Sequence, residues 1–211
     1  QTAIIEMSGA AGITQVHGDE KNPLYATTYG VGEVICDAIR NGCHRFIIGI
    51  GGSATNDGGI GMLEALGFVF RDQEGQPVGG AGRDLLKIAS LDPSGALPEL
   101  KDCRFRIACD VNNPLCGELG ASAVYGPQKG ADPEMVSILD AALARFARIT
   151  RETLGKDVAN APGTGAAGGL GYAFLAYLDG KLEPGIDIIL DEIHLEQDVK
   201  DADFVITGEG K

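Results

Sequence analysis

The alternation of apolar and polar residues along this chain predicts helices and strands that follow one another in turn. Apolar residues at helical spacing, among them Val31, Ile35 and Ile39, mark residues 31–41 as a helix. The apolar run at 46–48 predicts a strand over residues 45–50, and "GGIGMLEALG" predicts a second helix after it. "FVFRD", followed by the turn signal "QEGQ", predicts a further short strand.

The second half of the chain continues this alternation. Residues 105–109 predict a strand, and the longest helix begins after the N-cap Asp132 and ends at Gly155. A glycine-rich stretch precedes a helix that ends at Leu178, and "GIDIILD" and "ADFVIT" predict two more strands. The order predicts an α/β fold: a mixed or mostly parallel sheet with helices packed on it and glycine-rich loops at the carboxyl ends of its strands.

Composition excludes several classes of function. The 211 residues, 44% of them hydrophobic, are enough for a real core. A net charge of −13 disfavours binding to nucleic acid or to anionic membranes. We expect a cytoplasmic protein, because no membrane-spanning or export segment is evident and the five cysteines contain no CxxC pair. The three histidines lack metal-ligand spacing, so zinc is not expected.

The segment "GIGGSATNDGG", residues 49–59, is the first candidate for ligand binding. In open α/β sheets, ligands bind beyond the carboxyl ends of the strands. Glycines let an anion approach the main chain, short polar side chains add donors, and an aspartate offers a base or a Mg²⁺ ligand. The polar residues that follow the other predicted strands are Asp110 with Asn112 and Asn113, Asp191, and Thr207 with Glu209.

The residues alone leave a second interpretation open. "GIGGSA" matches the GxGxxA fingerprint of a dinucleotide-binding unit, and Asp72 follows at the expected distance. This match needs only three small residues in a chain with 32 glycines, and the helix expected there is replaced by "TNDGG". No GxxxxGK[ST] phosphate-binding loop occurs.

Four long motifs carry a more specific resemblance. "IIGIGGSATNDGGIGMLEALG", "ACDVNNPLCGELGASAVYGPQKGA", "PGTGAAGGLGYAF" and "DADFVITGEGK" occur in that order. Together with "NPLYATTYGVGEVI", they resemble the bacterial-type glycerate kinase family over nearly the whole chain. The resemblance implies Mg²⁺-dependent transfer of the γ-phosphoryl group of ATP to D-glycerate, giving 2-phosphoglycerate.

The resemblance also implies a longer protein with two domains. We expect residues 1–211 to form one domain, similar to the domain that this family inserts into a Rossmann-like domain whose segments flank it. That Rossmann-like domain is the expected partner, a homo-oligomer is a further expectation, and neither nucleic acid nor a membrane is an expected partner. This domain by itself would supply only one half of the active-site cleft, so we expect it to retain little activity without the flanking segments.

The site residues are hypotheses within this resemblance. Asp110 is the first candidate for the base that accepts the glycerate hydroxyl proton, with capping of its own turn as the alternative. Asp57 is the second catalytic candidate and a metal ligand, or an N-cap for the following helix. Glu209 is a metal or nucleotide ligand, or part of a hinge. The expected substrate and phosphate contacts are Gly51, Gly52, Ser53, Thr55, Asn56, Asn112, Asn113, Lys129, Gly163 and Gly165. The alternative for Lys129 is a solvated surface lysine, and the alternative for the glycine-rich loop at 163–169 is close helix packing.

Overall fold

A parallel four-stranded sheet organises the chain. The computed structural model describes residues 1–208, apart from the side chain of Asp19. The strands are Thr2–Glu6 (β1), Arg45–Gly49 (β2), Arg104–Ala108 (β5) and Lys181–Glu183 (β6), in the spatial order β1-β2-β5-β6. All three neighbouring pairs are parallel. Val69–Arg71 (β3) and Ser90–Asp92 (β4) form a separate antiparallel pair. The predicted α/β class and mostly parallel sheet are confirmed.

The described residues contain eight α-helices, and four of them lie where the sequence predicted helices: Tyr29–Arg40, Ile60–Ala65, Pro133–Leu154 and Ala166–Tyr177. The bounds of all eight are Ser8–Ala11 (α1), Tyr29–Arg40 (α2), Ile60–Ala65 (α3), Ala121–Tyr125 (α4), Pro133–Leu154 (α5), Ala166–Tyr177 (α6), Gly185–Glu192 (α7) and Leu195–Val199 (α8). Short 3-10 helices occupy Ile13–Gln15, Gly18–Glu20, Gly82–Lys87, Pro98–Asp102 and Pro127–Lys129. Asp132 caps α5, because its Oδ1 accepts a hydrogen bond of 2.8 Å from Met135 N.

The core lies on one face of the sheet. Phe46 and Ile48 of β2 and Phe105 and Ile107 of β5 point to this face and are buried, since alternate residues of a strand face the same side. Phe46 and Phe105 stack with 4.8 Å between their ring centroids. Helices α2, α3, α5 and α6 contribute buried residues to the same cluster. This packing fixes the carboxyl ends of β2 and β5, where the candidate loops begin.

Two of the predicted strands are wrong, and three strands of the described residues, β1, β4 and β6, were not predicted. "GIDIILD" is helix α7: Pro184 precedes its first turn, and Ile188 is buried while Ile186 and Ile189 are exposed. "ADFVIT" forms no strand within residues 1–208, and Phe204 is 90% exposed there. The edge strand β1 and the short strand β6 complete the sheet instead. Runs of isoleucine suit strand and helix alike, so tertiary contacts decide between them.

Candidate active site

The glycine loop after β2 enters the interior instead of remaining at the surface. Gly51 and Gly52 lie at the protein surface, and Gly52 has a φ of +69°, which favours glycine. The Gly52 carbonyl accepts a hydrogen bond of 2.8 Å from Ile13 N. The following polar residues are buried, namely Ser53, Thr55, Asn56 and Asp57. The loop therefore offers two glycines to a ligand and uses most of its polar side chains internally.

Lys129 lies beneath this loop and is only 2% exposed. Its Nζ donates hydrogen bonds of 2.7 Å to Ser53 Oγ and 2.6 Å to the Thr55 carbonyl. Burial lowers the pKa of Lys129 to about 8, while the charge of Asp57 acts in the opposite direction. An ammonium group has three donors, and the two bonds use two of them. Lys129 is therefore a buried cation, not a solvated surface lysine.

Asp57 is completely buried and surrounded by donors. Its Oδ2 accepts from Thr28 N and Thr28 Oγ1, both at 2.7 Å, and its Oδ1 accepts from Gly59 N at 3.1 Å. Burial raises the pKa of the Asp57 carboxyl, and these hydrogen bonds lower it. The Thr28 hydroxyl in turn accepts from Met62 N at 2.9 Å. This network joins the start of α2 to the loop and favours the capping role of Asp57 over contact with a ligand.

Asn56 is also an interior residue. Its Nδ2 donates to Ser122 Oγ at 2.9 Å, which ties the loop to α4. Its Oδ1 is buried and has no hydrogen-bond partner among the described residues. Thr55 Oγ1 lies 3.5 Å from the Ala167 carbonyl. Within the described structure, Thr55 and Asn56 brace the loop and do not line the neighbouring cavity.

Asp110 is the carboxylate that remains available to a ligand. It follows β5, is exposed, and its Oδ1 accepts a hydrogen bond of 2.8 Å from Gly185 N at the start of α7. One carboxylate oxygen is thus held in place by a backbone donor. No hydrogen bond to Oδ2 is found within residues 1–208, so this oxygen is free to act as a base.

The two asparagines after Asp110 differ in their surroundings. Asn112 is exposed, whereas Asn113 is half-buried. Asn113 Nδ2 donates to the Leu119 carbonyl at 2.8 Å, and Asn113 Oδ1 accepts from Tyr125 OH at 2.6 Å. These bonds give Asn113 a role in holding the turn between β5 and α4.

The second glycine-rich loop packs closely against the first. A Cβ on Gly165 would collide with the Pro114 carbonyl, and Gly165 N already donates to the Asn113 carbonyl at 2.9 Å. Gly163, with a φ of +85°, packs against the Cys109 thiol. Close packing therefore accounts for Gly163 and Gly165. Ala166 and Ala167 are the residues of this segment that reach the cavity, and the φ of Ala167, +52°, is left-handed although it has a side chain.

A cavity of about 410 Å³ joins these elements at the carboxyl ends of β2 and β5. Gly51, Gly52, Ser53, Asp110 and Lys129 line it, together with Ile13, Ile50, Ala108, Cys109, Val111, Tyr125, Gln128, Ala166 and Ala167. The structure thus brings five of the predicted residues together at one opening. It places a free carboxylate and a buried cation on the walls of the same cavity.

Comparison with known proteins agrees with the four motifs. The model of the glycerate kinase family matches residues 1–211. The chain belongs to the glycerate kinase family.

The relatives that this chain matches are longer proteins. It is 52% identical over 211 residues to the "Glycerate kinase" of Haemophilus influenzae and 46% identical to the "Glycerate 2-kinase" of Escherichia coli. It covers 56% and 55% of these two proteins. A crystal structure of a "putative glycerate kinase 2" from Salmonella typhimurium LT2 matches it with a TM-score of 0.96 at 50% identity, over 100% of this chain and 56% of that one. The chain spans about half the length of the relatives it matches.

Several residues that line the cavity were not predicted. Tyr125, Gln128 and Ala167 carry no charge and belong to no recognised ligand pattern. Gln128 stands beside Lys129 in "GPQKG", so the motif itself was the available signal. Ala167 is recognisable only from its backbone conformation, which sequence patterns do not reveal.

The remaining candidates lie away from the cavity. Asp191 is in α7 and forms an ion pair with Arg106, with 2.7 Å between Oδ2 and Nη2, so its predicted place at a strand end is wrong. Asp72 Oδ1 accepts from Glu74 N and Gln76 N and so closes its own turn. Thr207 is exposed and follows no strand, and Glu209 lies outside the described residues.

No cluster of three metal-ligating side chains occurs within residues 1–208. Neither Asp110 nor Asp57 therefore belongs to such a cluster. In the same residues, no helix has the length and apolar character needed to cross a bilayer.

Proposed function

We propose that this chain provides the acceptor site of a kinase that phosphorylates D-glycerate with ATP to give 2-phosphoglycerate. Membership of the glycerate kinase family supports the reaction class. The observation that carries the proposal is the cavity in which Asp110, Lys129 and the glycine loop meet. Its volume of about 410 Å³ is ample for a three-carbon acid.

The cation and the glycine loop bind the acid in this proposal. Glycerate carries a carboxylate, and Lys129 brings positive charge to the cavity from a buried position where water screens it little. Gly51 and Gly52 let the carboxylate or the transferred phosphoryl group approach the backbone. Ser53 holds the ammonium group in place through its 2.7 Å hydrogen bond.

Asp110 is the proposed general base. Its free oxygen accepts the proton of the glycerate hydroxyl as that oxygen forms a bond to the γ-phosphorus of ATP. The bond between this phosphorus and the β,γ-bridging oxygen breaks, and ADP leaves. The hydrogen bond from Gly185 N fixes the carboxylate, because positioning supplies much of the rate in phosphoryl transfer. Asp57 acts in this account as a brace of the loop.

ATP is the proposed donor, and Mg²⁺ the ion that accompanies it. No group of three or more metal-ligating side chains occurs within residues 1–208, and no step of this proposal passes through the ion. The relatives are longer than this chain, and we propose that a flanking Rossmann-like domain of the same protein completes the cleft around ATP. Residues 1–211 are then one inserted domain of a cytoplasmic enzyme.

The rival function is a nucleotide or phosphometabolite binding domain without catalysis. It requires Asp72 to contact the ligand, as in a dinucleotide-binding unit. Two backbone hydrogen bonds already occupy Asp72 Oδ1, and Asp72 does not line the cavity. The geometry therefore favours the kinase.

The test is a coupled assay of ADP release by the full-length gene product that contains these residues. We expect ADP release that depends on D-glycerate. In the Asp72→Asn variant, kcat/KM should stay within about twofold of the wild-type value, because the asparagine side chain can still close its turn. D-glycerate titrated alone should bind. The proposal is refuted if ATP binds while D-glycerate neither binds nor stimulates release, and loss of nucleotide binding in Asp72→Asn would establish the rival.

A further inference from the structure

One face of the sheet is largely uncovered in this chain. Ile4 of β1 is 77% exposed, and its partner in register, Ile47 of β2, is partly exposed on the same face. Arg106 and Lys181 continue this row across β5 and β6. Single exposed apolar residues are ordinary on protein surfaces, but adjacent ones on a sheet form a continuous apolar strip.

Helix α7 covers only part of this face. Ile188 is buried at 2% exposure, while Ile186 and Ile189 are 57% and 56% exposed. Arg106 anchors the helix, since it donates to Glu183 and Asp191 and pairs with Glu192. The outer side of α7, which packs against β5, thus adds a second apolar strip. We call these two strips together, Ile4 and Ile47 with Ile186 and Ile189, the open face.

A groove of about 1110 Å³ runs beside the open face, at the amino ends of the strands. Arg45, Lys101 and Arg104 line it. Within residues 1–208 none of these three cations forms an ion pair, although the chain carries a net charge of −13. An occupant that covers the groove and the open face would present carboxylates beside apolar side chains.

The sheet edge gives the same indication. The outer side of β1 pairs with no strand of the described residues, and unpaired edges are sites where further chain adds. The chain covers just over half the length of its relatives, so these relatives contain almost as much polypeptide again outside the region that the 211 residues match. We propose that the open face and its groove are the docking surface for that remaining part of the same polypeptide. The location of the surface is independent of the reaction assigned above.

Thiol labelling of the full-length gene product tests this surface. Ile4→Cys and Ile189→Cys place thiols on the open face, and Ala141→Cys places one on the exposed side of α5, on the covered face of the sheet. The unsubstituted protein gives the labelling background, which includes the five free cysteines of residues 1–211. We expect the thiols at positions 4 and 189 to react at least about tenfold more slowly than the thiol at 141, because labelling would require local opening.

The outcomes separate the occupants. Slow labelling at positions 4 and 189 that is unchanged on dilution supports docking of the same polypeptide. Labelling as fast as at position 141 overturns the proposal. Slow labelling that becomes fast on dilution overturns it as well, because a second copy of the protein would then be the occupant. Far-ultraviolet circular dichroism verifies that each variant is folded, and the second open-face position keeps the test decisive if one variant is not.

Discussion

Replacing Lys129 by methionine should alter how stability depends on pH. The wild-type ammonium group is buried, with hydrogen bonds to Ser53 Oγ and the Thr55 carbonyl. Methionine has a similar length and removes both the charge and the donors. At neutral pH the substitution has two opposing effects on the free energy of unfolding. It leaves the Thr55 carbonyl without its donor, which costs about 1 to 3 kcal/mol, but it also removes the cost of burying a charge, so the net change should be small.

The magnitude follows from the pKa of Lys129. Burial lowers this pKa from 10.5 to about 8, so the folded protein releases the proton at a lower pH than the unfolded chain does. Between these values the unfolded state binds more protons, and the free energy of unfolding rises with pH. The lysine contributes a rise of about 2.5 kcal/mol between pH 7 and pH 10. The methionine variant lacks this rise, so its stability relative to wild type should fall by that amount.

Urea unfolding at a series of pH values measures this difference. Other groups also change their proton binding on unfolding in this range, including Cys116: burial raises its pKa to about 12 in the folded protein, so its thiol loses the proton in this range only when the chain unfolds. They contribute equally to wild type and variant, so the difference isolates Lys129. Lys87→Met, at a lysine whose side chain is 58% exposed and lies outside the groove, is the matched control, and its difference from wild type should stay constant over this range. A difference that stays constant from pH 7 to pH 10 would refute the claim that Lys129 is a buried cation.

Three further substitutions test other parts of the structure. Gly168→Ala should lower the free energy of unfolding in urea by more than about 3 kcal/mol, because the φ of Gly168 is +68° and a Cβ there would collide with the Thr55 carbonyl. The control Gly42→Ala has a φ of +81° but open space around the Cβ, so it should cost only about 1 kcal/mol. Asp57→Asn should lower the free energy of unfolding by about 3 kcal/mol, because the amide nitrogen of asparagine would face backbone N–H donors. Unchanged stability together with lost turnover would instead support a role of Asp57 in catalysis. Arg106→Gln removes the ion pair with Asp191, so the amides of α7 should exchange hydrogen faster. It should also lower kcat, because Gly185 N at the start of α7 holds the Asp110 carboxylate. Unchanged hydrogen exchange in α7 would contradict this prediction.

Local patterns were sufficient for the elements with strong capping and periodicity. Helix α5 has Asp132 and Gly155 at its ends, and β2 and β5 alternate buried and exposed residues, so their positions were predictable. The placement of Asp110 at the carboxyl edge followed from the end of β5. Helix α7 was assigned wrongly, because its isoleucines fit both periods and only its packing on the sheet distinguishes them.

The burial of polar residues was not predictable in the same way. Lys129 belongs to a short polar motif, and only the fold brings it under a loop more than seventy residues earlier in the chain. Asp57 and Asn56 have the residue types of a binding site, yet their partners Thr28 and Ser122 occupy them in the interior. Such long-range hydrogen bonds depend on the assembled fold, and a single sequence does not display them.

The most direct test of the acceptor site is Asp110→Asn in the full-length gene product, with D-glycerate binding and phosphoryl transfer measured on one sample. The amide keeps the shape of the carboxylate and an oxygen for Gly185 N, but it cannot take the hydroxyl proton. We predict that D-glycerate still binds and that kcat falls by about 10² to 10⁴, the usual contribution of a general base. Turnover equal to wild type would contradict the assignment of Asp110 as the base.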